Sequence, residues 1–161
     1  MSDINTERSG SSGSILRVEL NRPAKKNAIT AAMYTSLAEI FGDAGKDEAV
    51  RVVLWHGAGD AFCAGNDMGD FLKNPPGPGN FPQGRLMDAL IGFEKPIVAA
   101  VQGAAIGGGT TMLTHCDVVY AGESARFMAL LNPSANTCGA SGMPSPSLSR
   151  NTFTRSAAGP W

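Results

Sequence analysis

The chain has 161 residues, and its 13 Lys and Arg nearly balance its 14 Asp and Glu, for a net charge of −1. That balance gives no electrostatic case for nucleic acid or an anionic membrane surface. The length suits one domain with a real hydrophobic core, and no apolar run approaches the roughly 18 residues that span a bilayer. Cys63, Cys116 and Cys138 are odd in number and lack CxxC spacing, which argues against a disulfide framework or a zinc site and fits a reducing cytoplasm. No metal site is expected.

Residues 1–13 are polar and rich in Ser and Gly, and they read as a disordered leader without the features of a targeting signal. Residues 14–20 then place Leu16, Val18 and Leu20 on one face and Arg17 and Glu19 on the other, the alternation of a half-buried strand. Asn21-Arg22-Pro23 ends it. A short loop with Lys25, Lys26, Asn27 and Ala28 leads to Thr30, which is placed to cap a helix running to about Phe41. Gly42 and Gly45 are expected to stop that helix. Residues 50–56 form an almost continuous apolar run, predicting a strand covered on both faces. Strand, helix and strand in this order predict a right-handed crossover.

Residues 57–67 read as a turn, a very short strand and a glycine-bearing bend. Residues 71–83, rich in Pro, Gly and Asn, predict a mobile surface loop. Leu86, Ala89, Leu90 and Phe93 fall at helical spacing over 85–93, and 97–101 and 118–121 are further buried strands. Between those two strands, Gly107, Gly108 and Gly109 interrupt the passage into a helical segment at 110–115. N–H groups at a helix start have no intrahelical partner and carry partial positive charge, so this junction is suited to an anion or a developing oxyanion.

After Phe127 the chain changes character. Every acidic residue lies at or before Glu123, and 128–161 is a Ser, Pro, Gly and Ala mixture whose only charged side chains are Arg150 and Arg155. It is expected to be disordered, because it cannot bury enough surface to offset the ordering entropy. Of the remaining polar groups, Asp67 reads as a cap for backbone N–H groups, with a general base as the alternative. His56 and His115 read as residues at the ends of apolar segments, Cys63 and Cys116 as small core residues, and Cys138 as a loose thiol.

Five motifs occur together and in order: Leu20-Asn-Arg-Pro with Asn27-Ala28, Phe62-Cys-Ala-Gly-Asn-Asp-Met68, Lys95-Pro-Ile-Val-Ala-Ala-Val-Gln-Gly103, Gly107-Gly-Gly and Cys116-Asp-Val-Val-Tyr-Ala121. Over residues 16–127 the chain therefore resembles the enoyl-CoA hydratase/isomerase (crotonase) superfamily. The resemblance implies an α/β fold, a β/α spiral of repeated ββα units over 14–127, without the C-terminal helices that finish the acyl pocket and support a homotrimer. It implies an acyl-CoA thioester as partner, with coenzyme A entering as part of the substrate and no separate cofactor. An enolate-like oxyanion at the thioester carbonyl is then held by two backbone N–H groups, which fall on Asn66 and Gly108. Lys25, Lys26, Ala28, Ala64, Gly65, Asp67, Met68, Gly107 and Thr111 are implied to line the substrate, the two lysines near the coenzyme A phosphates.

The pattern breaks at the proton-transfer groups. Thr111 stands two residues after the triplet, where the family's hydratases carry a catalytic Glu, which places the chain nearer the isomerase-like branch. That branch uses a Glu in a Pro-Glu segment shortly after the position of Phe127, and here the segment reads Met128-Ala-Leu-Leu-Asn-Pro-Ser-Ala-Asn. Such an abrupt change is what an out-of-frame or otherwise altered C-terminus looks like. Three expectations follow: an enzyme of cytoplasmic fatty-acyl metabolism that shifts or hydrates a double bond, a non-catalytic acyl-CoA-binding or interaction protein, or a misfolded fragment.

Overall fold

The computed structural model describes residues 2–75, 77 and 81–129, together with the backbone of Thr152–Arg155. A six-stranded sheet runs in the order β1 (Ile4–Ser9), β2 (Ile15–Leu20), β3 (Val52–Gly57), β4 (Ile97–Val101), β6 (Val118–Ala121) and β8 (Thr152–Arg155). All neighbours are parallel except β1 and β2. A second sheet pairs β5 (Ala104–Ile106) with β7 (Arg126–Met128). Helices α1 (Ala31–Lys46), α2 (Met68–Lys73), α3 (Pro82–Ile91) and α4 (Gly108–Leu113) complete the described elements.

The chain advances in turns of a spiral. β3 leads to an isolated bridge at Cys63 and then to α2 and α3; β4 leads to β5 and α4; β6 leads to β7. Cys63 bridges Ala105 and so joins the β5–β7 layer, which places the bend at 64–67 next to the start of α4.

The alternation expected of β2 is present, with Leu16, Val18 and Leu20 buried. In β3, Val53 and Trp55 are buried, whereas Val52, Leu54 and His56 are only partly covered, so this strand is not enclosed on both faces as its apolar run implied. The Trp55 face is the one that meets the helices: Phe41 of α1 packs edge-on to Trp55 at 5.2 Å and to Phe93 at 5.4 Å. Edge-to-face aromatic geometry adds to their area burial. Thr30 caps α1 as expected, its hydroxyl accepting from Met33 N at 3.2 Å.

Four expectations are corrected. Ile4–Ser9 is not a disordered leader: it forms β1, with Ile4 opposite Leu20 and Ser9 opposite Ile15. Ile4 is its one buried hydrophobic side chain, and polar cross-strand pairs, Asn5 with Glu19 at 2.8 Å and Arg17 with Glu7 at 2.6 Å, support the pairing instead. Helix α1 continues through Gly42 and Gly45 to Lys46. Each interior glycine costs about 1 kcal/mol against Ala, but Phe41 and Ala44 are buried, and Lys95 Nζ donates to the Ala44 and Asp47 carbonyls at 2.7 and 2.6 Å. The loop expected over 71–83 loses its first residues to α2 and its last to α3. Of the tail, Met128 belongs to β7 and Thr152–Arg155 pairs in parallel with β6; the other positions assigned to it beyond 129, Cys138 among them, lie outside the described residues.

One buried polar side chain locks the loop after β2. Asn27, fully buried and in the left-handed region at φ 56°, accepts from Arg22 N at 2.8 Å and donates to the Ala58 and Ala61 carbonyls at 2.8 and 2.7 Å. Truncation strands the buried Ala61 carbonyl and leaves the half-buried Ala58 carbonyl and Arg22 N–H without this partner. Asn27→Ala is expected to destabilise the chain by about 2–3 kcal/mol, read as a lowered midpoint in urea unfolding at unchanged m-value.

Candidate functional site

Two bends approach each other on the edge of the spiral. The first, at 64–67, is held by the entrance to α1: Ile29 N donates to Gly65 O at 2.8 Å, and Asp67 N donates to Ile29 O at 2.9 Å. Gly65 O and Asn66 N belong to one planar trans amide, so they point in opposite directions. Drawing the carbonyl toward Ile29 therefore turns the Asn66 N–H outward. Among the described residues that N–H has no acceptor.

The second bend repeats the device. Gly107, at φ 53° and ψ −116°, precedes α4, and its carbonyl accepts from Thr110 N and Thr111 N, both at 3.0 Å, and from Thr111 Oγ1 at 3.2 Å. Three donors fix that carbonyl along the helix, so the Gly108 N–H on the far side of the amide leaves the helix end, also without an acceptor among the described residues. The two bends touch. A Cβ on Gly109 would lie 2.7 Å from Cys63 O, and a Cβ on Gly108 would lie 3.7 Å from Asn66 Oδ1 and 2.8 Å from Tyr34 Oη. Glycine at 109 is thus what lets α4 seat against Cys63, which leads into the first bend.

The expected residues fall around this junction as follows. Asn66, Gly108, Gly65 and Gly107 form it. Asp67 is a cap, as its bend position implied: its Oδ1 accepts from Gly69 N and Asp70 N at 3.0 and 3.1 Å, and its Oδ2 accepts from the Arg22 guanidinium at 3.0 Å. The Asp70 N–H first, then the Arg22 guanidinium and last the Gly69 N–H hold its carboxyl below the usual range. Ala28 presents its carbonyl to Arg22 at 2.6 Å, and Ala64 N donates to Lys26 O at 2.9 Å, so the 22–29 loop lies against the bend. The Lys26 ammonium is exposed and paired with Asp60, and Lys25 is exposed at the end of a 3₁₀ turn. Met68 is 62% exposed at the start of α2. Thr111 is exposed, with its hydroxyl turned back on Gly107 O.

Proton-transfer groups are scarce here. Asp70 accepts from Ala31 N at 2.7 Å and from Asn74 at 3.0 Å, so both its oxygens are engaged. Burial pushes the Cys63 thiol up to about 11, too high for a thiolate at neutral pH. The recess that Asn66 and Asp70 line with Gln83 measures about 10 Å³, room for a water but not for an acyl chain. Among the described residues no three His, Cys, Asp or Glu side chains gather as metal ligands, and no helix is long and apolar enough to cross a membrane.

Three residues that matter to this arrangement were not singled out as site residues from the sequence. Arg22 ties the loop to the bend through Asp67, Asn27 ties it to the turn after β3, and Tyr34 reaches the junction from α1, its hydroxyl donating to Asn66 Oδ1 at 2.6 Å. The signal for Tyr34 was one polar atom inside an apolar stripe, since it lies three and seven residues before Leu37 and Phe41.

The model of the enoyl-CoA hydratase/isomerase family matches residues 10–133. The chain belongs to the enoyl-CoA hydratase/isomerase family. It is 38% identical over 121 residues to the enoyl-CoA hydratase EchA19 of Mycobacterium tuberculosis, covering 71% of this chain and 46% of that one. It is 36% identical over 123 residues to the enoyl-CoA delta isomerase 2 of Rattus norvegicus, covering 73% and 31%. The structure of Pseudomonas aeruginosa OdaA superimposes with a TM-score of 0.73 at 47% identity, covering 80% of this chain and 51% of that one. The fold is the crotonase fold of these family members, and the chain spans about half the length of the relatives it matches, or less.

The depressed carboxyl of the Asp67 cap makes a pH signature. A group whose folded pKa is lowered contributes stability above its unfolded pKa, about 3.9 for Asp, and loses it as pH falls through the folded value. Asp67→Asn is therefore expected to be less stable than the parent near neutrality, with the difference shrinking below about pH 4. Thermal melts of both proteins across this range check it; a pH-independent difference would contradict the capping role.

Proposed function

We propose that this family member binds an acyl-CoA thioester and stabilises the enolate oxyanion at its carbonyl with the N–H groups of Asn66 and Gly108. The single observation that carries this reading is the pair of N–H groups on touching bends, each turned outward by a carbonyl bonded on the inner side of the same amide. Thioester carbonyl oxygen bears little charge in the ground state and much more in the enolate, so donors fixed in advance favour the intermediate selectively. Removing one donor from such a pair costs about 10²–10³ in rate. The family reaction is then double-bond isomerisation or hydration, which needs proton transfer beside that carbonyl. Coenzyme A arrives as part of the substrate, with Lys25 and Lys26 on the loop bonded to the first bend.

A second reading is favoured by one observation. Asp67 and Asp70, the acidic side chains at the first bend, have their oxygens committed to backbone, Arg22 and Asn74, and Thr111 faces its own helix. Under that reading the chain binds acyl-CoA without turning it over.

Calorimetric titration of the 161-residue chain with butyryl-CoA, followed by an enoyl-CoA turnover assay, tests both readings. Binding with turnover is the outcome expected of the enzyme, and binding without turnover is that of the non-catalytic protein. Absence of binding would overturn both.

A further inference from the structure

Tyr34 is 3% exposed on the buried side of α1, among Met33, Leu37 and Phe41. Phenylalanine would fill that volume without a polar atom to satisfy. The phenol instead spends its proton on the Asn66 carboxamide at 2.6 Å, 32 residues away. Its oxygen also stands 2.8 Å from where a Cβ on Gly108 would be. One hydroxyl thus meets the two residues whose N–H groups form the proposed oxyanion pair. Burial, with Cys63 beside it, raises the phenol well above its ordinary range, so it remains a donor at neutral pH.

The main-chain bonds of Ile29 set the direction of the Asn66 N–H. They leave open how far the bend stands from α4. We infer that Tyr34 is a positioning residue that fixes this spacing, tying the Asn66 side chain to α1 at the point where Gly108 passes. The inference rests on the acyl-CoA reading above and adds to it a side-chain requirement at a site whose donors are main-chain. Such a residue acts on the enolate and not on the ground-state thioester, because only the developing charge depends steeply on donor placement. Glycine at 108 acquires a second reason: any side chain there would collide with the hydroxyl that sets the gap.

Two probes separate the roles. Butyryl-CoA reports ground-state binding by calorimetry, and acetoacetyl-CoA, which enolises, reports enolate stabilisation through the ultraviolet absorbance of its bound enolate. Tyr34→Phe and Asn66→Ala are each expected to lower enolate formation from acetoacetyl-CoA by about tenfold, a fraction of the effect of losing a donor outright. Butyryl-CoA affinity stays within about twofold, and the double variant is no worse than either single one. Equal losses for both probes, additive losses in the double variant, or unchanged enolate formation in either single variant would overturn the positioning role while leaving acyl-CoA binding intact. If Tyr34→Phe fails to fold, Asn66→Ala decides alone, since its half-buried bend position carries no core volume. Failure of the parent chain to bind either probe overturns the acyl-CoA reading and this inference together.

Discussion

A planar amide cannot move its carbonyl without moving the N–H on its other side, and the junction of the two bends depends on that constraint. Gly65 O is bound by Ile29 N, and Gly107 O by two main-chain N–H groups and the Thr111 hydroxyl. In each case a bond made on the inner side aims a donor on the outer side. Charge stabilisation by such groups requires no reorganisation when the charge appears, which is the source of its strength. Thr111 takes a definite part in this. Its hydroxyl anchors the amide that carries the Gly108 N–H.

The rest of the fold keeps those amides in place. Cys63 is bonded on both sides to β5, donating to Ala104 O and accepting from Ile106 N, each at 2.9 Å, and Gly109 lets α4 rest on it. Asn27 clamps the loop before α1 to the turn after β3, and Arg22 joins Ala28 to Asp67. Behind them, Phe41, Trp55, Phe62 and Phe93 form a chain of edge-to-face contacts between helix and sheet. Reacting geometry is sensitive at the level of about 1 Å, which is the scale on which these ties hold the bends.

Where a segment's own residues determined its structure, the sequence alone sufficed. Alternation in β2, the Thr30 cap and the positions of the apolar strands, though not their full burial, were legible, and the five motifs named the family that its matching model shows. What escaped were structures decided by distant partners. β1 is polar and forms because β2 offers an edge; α1 outruns two glycines because Lys95 caps carbonyls about fifty positions away; Tyr34 looks like core because its one telling contact is with Asn66. The strand at Thr152–Arg155 likewise depends on pairing with β6 and not on any apolar period of its own. At the site, Asn66 and Gly108 were named from their motifs, while the reason their N–H groups are available lies in bonds to Ile29, Thr110 and Thr111 that no local pattern displays.

The central claim, that the Asn66 and Gly108 N–H groups converge on a thioester carbonyl, is tested most directly by isotope-edited infrared spectroscopy of butyryl-CoA labelled with ¹³C at the carbonyl. Two aimed donors polarise the bond, so the labelled carbonyl stretch of the bound thioester is expected at lower frequency than in free solution. A bound thioester whose carbonyl absorbs at the solution frequency would contradict the account.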